Sequence, residues 1–400
     1  MYKYRTSVYY RNPDGTHKTV GITANSRREL ERKKQAIKEK EKQGIDLANN
    51  STFGYWSAKW LNNTKLNQGL SVHQEDSLKC ILKLLNSEFA NVKFQYITRD
   101  GFQEFINQTA GENPNTHRPT SASYLRKIRS TAKSIAEYAN GSHVDGVSAF
   151  YNVTIPRNAP VKKRAALTEE QVYYIETYKH PMQLFTMIAT FSGLRRGEIL
   201  ALQWKHLDLD KSKIQVVQSL NWCPNQPVIK KGGKTANSTR TVVIPPVLVS
   251  YLRDYRNGLA VYPSPCAPVC GTEQGKYFTQ AQFRRRWGNY MKDLNMRFGD
   301  FSNCDPSKSP VLPMQVEPFT PHQCRHFFAT LCYLQGLSIP DSMQELGHAS
   351  PDVTIGIYTD LKNYHRWDLS EEFREKLKTS YRIPITGDSS IGMIENDNAG

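Results

Sequence analysis

Four side chains able to make and break phosphate esters fall within one short part of the chain. His322 and Arg325 lie in TPHQCRHFF, and His348 and Tyr358 lie in ELGHASPDVTIGIYTD. On a helix, His322 and Arg325 are three apart and share a face. The set offers a phenol, two imidazoles and a guanidinium, with no acidic cage for a metal ion. Such groups can hold a phosphodiester while the phenol oxygen attacks it. Alone, each would more often be a structural residue; the cluster carries the reading.

Local signals say how these groups are positioned. Ser338, with Asp341 three residues on, reads as the N-cap of a helix that Gly347 ends. Ser350 with Pro351 at the first helical position opens another, which carries Tyr358. Upstream, Leu184, Ile188 and Phe191 recur at helical spacing and lead into Ser192-Gly193-Leu194-Arg195-Arg196-Gly197-Glu198, after which Ile199, Leu200 and Leu202 continue an apolar face. Strand-like runs follow at 213–219, 227–230 and 239–245, with Lys231-Gly232-Gly233-Lys234 expected as a hairpin tip between the last two.

The chain has 400 residues, enough for two or three domains, and a formal net charge of +16. That excess points to a polyanionic partner, most often nucleic acid. Seven cysteines without a repeating spacing read as reduced thiols. Cys266 and Cys270 form a close pair, but no second pair completes a zinc site. No apolar run is long enough to span a bilayer and the N-terminus lacks a signal-peptide pattern, so no membrane association is expected.

Residues 1–47 read as a small unit of strands and a charged helix, with a turn at Asn12-Pro13-Asp14-Gly15 and basic residues Arg5, Arg11 and Lys18. Its sheet could lie in a DNA groove. Residues 51–150 carry four helical stripes, the last (Leu125, Ile128, Ala132, Ile135) interleaved with Arg126, Lys127, Arg129 and Lys133, a candidate phosphate-contacting face. Residues 151–166, with Pro156, Pro160 and the run Lys162-Lys163-Arg164, read as an interdomain linker crossing a DNA backbone. Thr168 and Gln171 form a capping box that opens a domain at 167–385. Asp368 and Glu371 read as the start of a last helix with Leu369, Phe373 and Leu377 on one edge, docking on its own domain or on a neighbouring subunit. Residues 386–400 have a disordered composition.

Gly193-Leu194-Arg195-Arg196-Gly197-Glu198, Lys234-Thr235, His322-x-x-Arg325, Leu346-Gly347-His348 and Tyr358, in that order, resemble the tyrosine recombinases. Within that family the chain is similar to the integrases of phages and conjugative transposons. The likeness spans almost the whole chain. His-x-x-Arg alone recurs by chance; the ordered set is specific. Two positions depart from the family pattern: Gln323 and Cys324 stand where it often has an acidic residue and Leu. Lys230 and Lys231 lie close to Lys234, so the choice of lysine stays open.

The resemblance implies an α+β multidomain fold. A small N-terminal unit of three-stranded sheet and helix would bind arm-type DNA sites, a helical bundle would bind the core site, and a mainly α catalytic domain with a small antiparallel sheet would follow. It implies a site-specific recombinase needing neither metal nor other cofactor, acting as a homotetramer on double-stranded DNA in the cytoplasm of a bacterial host, at the nucleoid, with an excisionase or a host DNA-bending protein as helper. By likeness Tyr358 is the nucleophile, Arg195 and Arg325 clamp the phosphate, and Lys234 is the general acid. His322 and His348 share the base and phosphate-binding roles in either order, and Glu198 is a buried partner orienting the site. Two other readings remain at this stage. A DNA-binding regulator would use the helix–Gly347–helix as a helix-turn-helix but leaves the other motif residues without a purpose. A type IB topoisomerase would not need the N-terminal sheet.

Overall fold

The computed structural model describes residues 4–11, 17–42, 52–66, 69–70, 72–113, 118–141, 147–161, 166–232, 239–302, 313–347, 351, 354–356 and 369–384. The chain divides into two compact units, Met1–Lys163 and Arg164–Gly400.

The first unit opens with strands β1 (Tyr4–Arg11) and β2 (His17–Ala24), paired antiparallel, and helix α1 (Arg27–Lys42). Val8, Ile22, Ala24 and Leu30 close a small core between hairpin and helix. Two strands of this sheet lie among the described residues, where three were expected. Residues directly opposite in an antiparallel pair share a face. Arg5 sits opposite Thr23, and Arg11 opposite His17, on the outer side. Lys18 sits opposite the buried Tyr10, so it belongs to the other face of the hairpin.

Helices α2 (Phe53–Trp60), α3 (Val72–Phe89), α4 (Arg99–Ala110) and α5 (Ala122–Asn140) follow, with a minimal strand pair, β3 (Glu112–Asn113) and β4 (Arg118–Pro119), between the last two. Thr52, Thr98 and Ser121 cap α2, α4 and α5 through their side-chain oxygens. The apolar stripes meet in one core that includes a cluster of Phe53, Phe89, Phe94, Phe102 and Phe150.

The linker expected at 151–166 is corrected for its first ten residues. Val153 and Ala159 are buried in the bundle core. Thr154 N donates to Gln103 Oε1 at 2.8 Å, and Ala122 N donates to Pro160 O at 3.0 Å. The prolines break regular structure there without freeing the chain, because the apolar side chains between them still find a core. Lys162, Lys163 and Arg164 lie outside the described residues.

The second unit runs α6 (Glu169–Thr177), α7 (Gln183–Ser192), α8 (Arg196–Ala201), β5 (Leu207–Asp208), β6 (Lys213–Val216), β7 (Gln218–Cys223), β8 (Gln226–Lys231), β9 (Arg240–Val243), α9 (Pro246–Asn257), α10 (Gln280–Phe298), α11 (Pro321–Leu334), α12 (Ile339–Leu346) and α13 (Glu371–Lys378). The run at 213–219 splits at Val217. β6 joins β5 and β9 in a three-stranded sheet, while β7 pairs with β8. The hairpin turn is therefore Pro224-Asn225, between Cys223 and Gln226. Lys231 ends β8, paired with Gln218, and β8 and β9 belong to different sheets, so they do not form the paired hairpin expected there; Gly233 and Lys234 lie outside the described residues.

Phe191, Ile199, Leu248, Tyr290, Phe319, Phe327 and Phe328 are among the buried residues of this unit's core. α13 packs on its own unit: Phe373, Tyr381 and Ile383 enter that core, and Tyr381 Oη donates to Glu176 Oε1 at 2.8 Å. Its N-cap is Ser370, not Asp368; the Ser370 hydroxyl accepts from Phe373 N and donates to Glu169 Oε2. The described cysteines form no disulfide. Among the described residues no helix is long and apolar enough to cross a membrane.

Candidate active site

Three chain breaks in regular structure build the site, and each has a local cause. α7 ends at Gly193, whose φ of +62° is the left-handed value that favours glycine. A Cβ there would overlap the buried Phe328 ring of α11, which would have to shift. α12 ends at Gly347, again left-handed at φ +64°. α11 begins with Thr320 and Gln323 in a reciprocal capping box, with Pro321 in the first turn. Gln323, one of the two departures from the family pattern, thus fixes the start of the helix that carries His322 and Arg325. Cys324, the other, is fully buried, and burial pushes its thiol up to about 12. It packs as a small apolar side chain.

Arg325 is 5% exposed. Its Nη1 donates to Gly193 O and its Nη2 to Leu346 O, both at 2.6 Å. It therefore joins the ends of α7 and α12. Burial, and next the positive charge of Arg195, press this guanidinium down to about 9, which leaves it charged at neutral pH. Arg195 stands immediately before α8, with its side chain about half exposed. Its Nη2 donates to Gly347 O at 2.6 Å and its Nη1 to Glu198 Oε1 at 3.0 Å. The two arginines thus take consecutive carbonyls, 346 and 347, at the turn leading to His348.

Glu198 is buried beneath them. Burial alone would raise its carboxyl, but Arg240 and Arg195 outweigh that and hold it at about 2. Its two oxygens accept four bonds: from Arg195 N (2.8 Å) and Nη1 (3.0 Å), and from Arg240 Nη1 (3.1 Å) and Nη2 (2.9 Å). That fills the acceptor capacity of a carboxylate. Arg240 was not singled out from the sequence. The signal was present: in strand β9 it alternates onto the same face as buried Val242, and a charge on a core-facing position requires a partner.

His322 is exposed in the first turn of α11, with its ring 4.6 Å from that of His326 and edge-on to it. Lys234, His348 and Tyr358 lie outside the described residues. The structure therefore brings Arg195, Glu198 and Arg325 together around the turn before His348, with His322 on the same helix as Arg325. Of the candidate DNA contacts, Arg5, Arg11, Lys18, Arg126 and Lys127 are exposed. Arg129 donates from Nη1 to Val153 O at 2.8 Å, and Lys133 lies 4.5 Å over the Tyr151 ring and 3.7 Å from Glu137. Arg129 thus bonds within the bundle, while the Lys133 side chain stays 44% exposed.

Residues 166–365 match the phage integrase family. The chain belongs to that family. This tyrosine recombinase is 24% identical over 292 residues to a XerC-like tyrosine recombinase of Caldanaerobacter subterraneus subsp. tengcongensis, covering 68% of this chain and 70% of the relative. It is 28% identical over 196 residues to the ICEBs1 integrase of Bacillus subtilis, covering 48% of each. In fold it is similar to the Tn1549 transposon integrase, solved in complex with transposon right-end DNA, at a TM-score of 0.62 and 16% identity over 82% of this chain and all of that one.

Proposed function

We propose that this recombinase cuts and rejoins DNA strands through a 3′-phosphotyrosine on Tyr358, and so integrates and excises a mobile element. The observation that carries this reading is the delivery of two guanidiniums, Arg195 and Arg325, to consecutive carbonyls at the turn before His348. A guanidinium has more N–H donors than either arginine uses on those carbonyls, so each can also receive a non-bridging phosphate oxygen. Fixed donors of this kind stabilise the charge that develops on phosphorus oxygens without reorganising.

In the first step Tyr358 Oη attacks phosphorus, the bond from phosphorus to the 5′ oxygen breaks, and the 5′ hydroxyl leaves. Lys234 supplies the proton of that hydroxyl and His322 accepts the phenol proton, while His348 binds the phosphate. In the second step a 5′ hydroxyl of the partner duplex attacks the phosphotyrosine and releases Tyr358. The bond energy is conserved in the ester, so no energy source is consumed. Residues 1–47 serve arm sites, 51–150 the core site and 167–385 the chemistry. Four protomers act on two duplexes in the bacterial cytoplasm, with an excisionase or DNA-bending protein setting direction.

The test is a nicked suicide duplex carrying the junction sequence of the element that encodes the chain. Wild-type protein should form a covalent adduct visible on a denaturing gel, in the presence of EDTA. Tyr358→Phe should bind the duplex equally well and form none; an adduct with that variant refutes the assignment of the nucleophile.

A further inference from the structure

We propose that Arg240 is a positioning residue for strand cleavage: it locks Glu198, and through Glu198 it sets Arg195 in the geometry that meets the phosphate. The inference rests on the reading of Arg195 as a phosphate clamp.

Arg240 opens β9, six residues after Lys234, at the point where that connection re-enters the sheet. Its side chain is 6% exposed. All three guanidinium nitrogens are engaged: Nη1 and Nη2 hold the two oxygens of Glu198, and Nε donates to Glu345 O at 3.2 Å. Such a forked pair fixes direction as well as distance, which a lysine cannot do. The group also lies flat against Gly347: a Cβ on that residue would stand 2.8 Å from Arg240 Cζ and Nη1. β9 and α12 are tied a second time, where Val243 N donates to Glu345 Oε2 at 2.9 Å.

These contacts close a circuit. Arg240 holds Glu198, Glu198 holds both the backbone and the guanidinium of Arg195, and Arg195 holds Gly347 O. Gly347 in turn rests on Arg240. With all three of its guanidinium nitrogens engaged by protein groups, Arg240 acts through its neighbours. The charged groups around Glu198 are Arg195 at the start of α8, Arg240 on β9, Arg325 on α11 and Glu345 on α12. Of these, Arg240 contributes the largest opposition to the burial of the Glu198 carboxylate. Without Arg240, burial works on Glu198 against a single paired arginine, and the carboxyl takes up a proton more readily. A protonated Glu198 no longer holds Arg195 as an ion pair.

The experiment measures single-turnover cleavage of the same suicide duplex by the full chain across pH 5.5 to 8, with duplex affinity and melting temperature recorded for every protein. Arg240→Lys keeps the charge without the fork and should cleave roughly 10-fold or more slowly with unchanged affinity, as expected when a reacting group is displaced. Arg240→Met should be slower still, and its rate should fall more steeply than the wild type's as pH drops, because protonation of Glu198 adds to the loss of the His322 base that both proteins share. Adding Glu198→Gln to Arg240→Met should return the pH profile to the shape of the wild type's, because the Glu198 carboxyl is gone while His322 remains. Wild-type rates in folded Arg240→Lys, or a pH profile in the double variant as steep as that of Arg240→Met, would overturn the proposal. Should Arg240→Met fail to fold, Arg240→Lys carries the test alone. Absence of any adduct from wild-type protein would instead count against the proposed function.

Discussion

The basic residues of the second unit's site and those of the helical bundle carry the same charge in opposite circumstances. Arg325 and Arg240 are nearly enclosed, and each donates to named carbonyls or carboxylates. Arg126 and Lys127 on α5 are exposed to solvent. A buried guanidinium whose direction is fixed can stabilise charge as it forms, because little of its field is lost to water. An exposed lysine or arginine attracts a phosphate from a distance and is screened by salt. The contrast separates rate from affinity, and it can be broken or sharpened by substitution.

The largest effect is expected for Arg325→Ala. Adduct formation should slow by about 3 kcal/mol or more in activation free energy, with little change in duplex affinity. A loss of affinity without a loss of rate would erase the distinction between the two regions. Next comes Arg129→Ala, on the bundle but bonded to Val153 O. It should lower stability by about 1–2 kcal/mol in urea unfolding while leaving the salt dependence of DNA binding alone. That outcome would divide the bundle's own cations into braces and contacts. The smallest effect is that of Arg126→Ala combined with Lys127→Ala. Cleavage of bound DNA should be unchanged, and the slope of log affinity against log salt should flatten by about 2. An unchanged slope would remove α5 from the DNA surface.

What could be read from the sequence follows how far apart the interacting residues lie. The caps at Thr168–Gln171 and Ser338–Gly347 were legible because the hydrogen bonds that make them join residues a few positions apart. The box of Thr320 and Gln323 is equally local. For the site's anchor the alternation in β9 marks Arg240 as core-facing but does not name its partners: Arg240 meets Glu198 across 42 residues and Glu345 across 105. No short window contains that pairing. The same holds for strand partners. Separate strand runs near 213–245 were visible, but whether β8 returns to β7 or continues to β9 depends on which sheet each strand joins. The linker was misplaced because Pro156 and Pro160 are strong local breakers, while the burial of Val153 and Ala159 is set by helices elsewhere in the unit.

The docking of α13 has a consequence for the order of biosynthesis. Tyr381 bonds to Glu176, 205 residues earlier in the chain. At ribosomal speeds that interval takes roughly 10–40 s, during which α6 is already made and its counterpart does not yet exist. The floor under Phe191 and Phe327 is thus laid last, after the tyrosine-bearing segment has been translated. A nascent chain therefore carries every motif of a strand-cutting enzyme before Phe373, Tyr381 and Ile383 have joined the interior behind them.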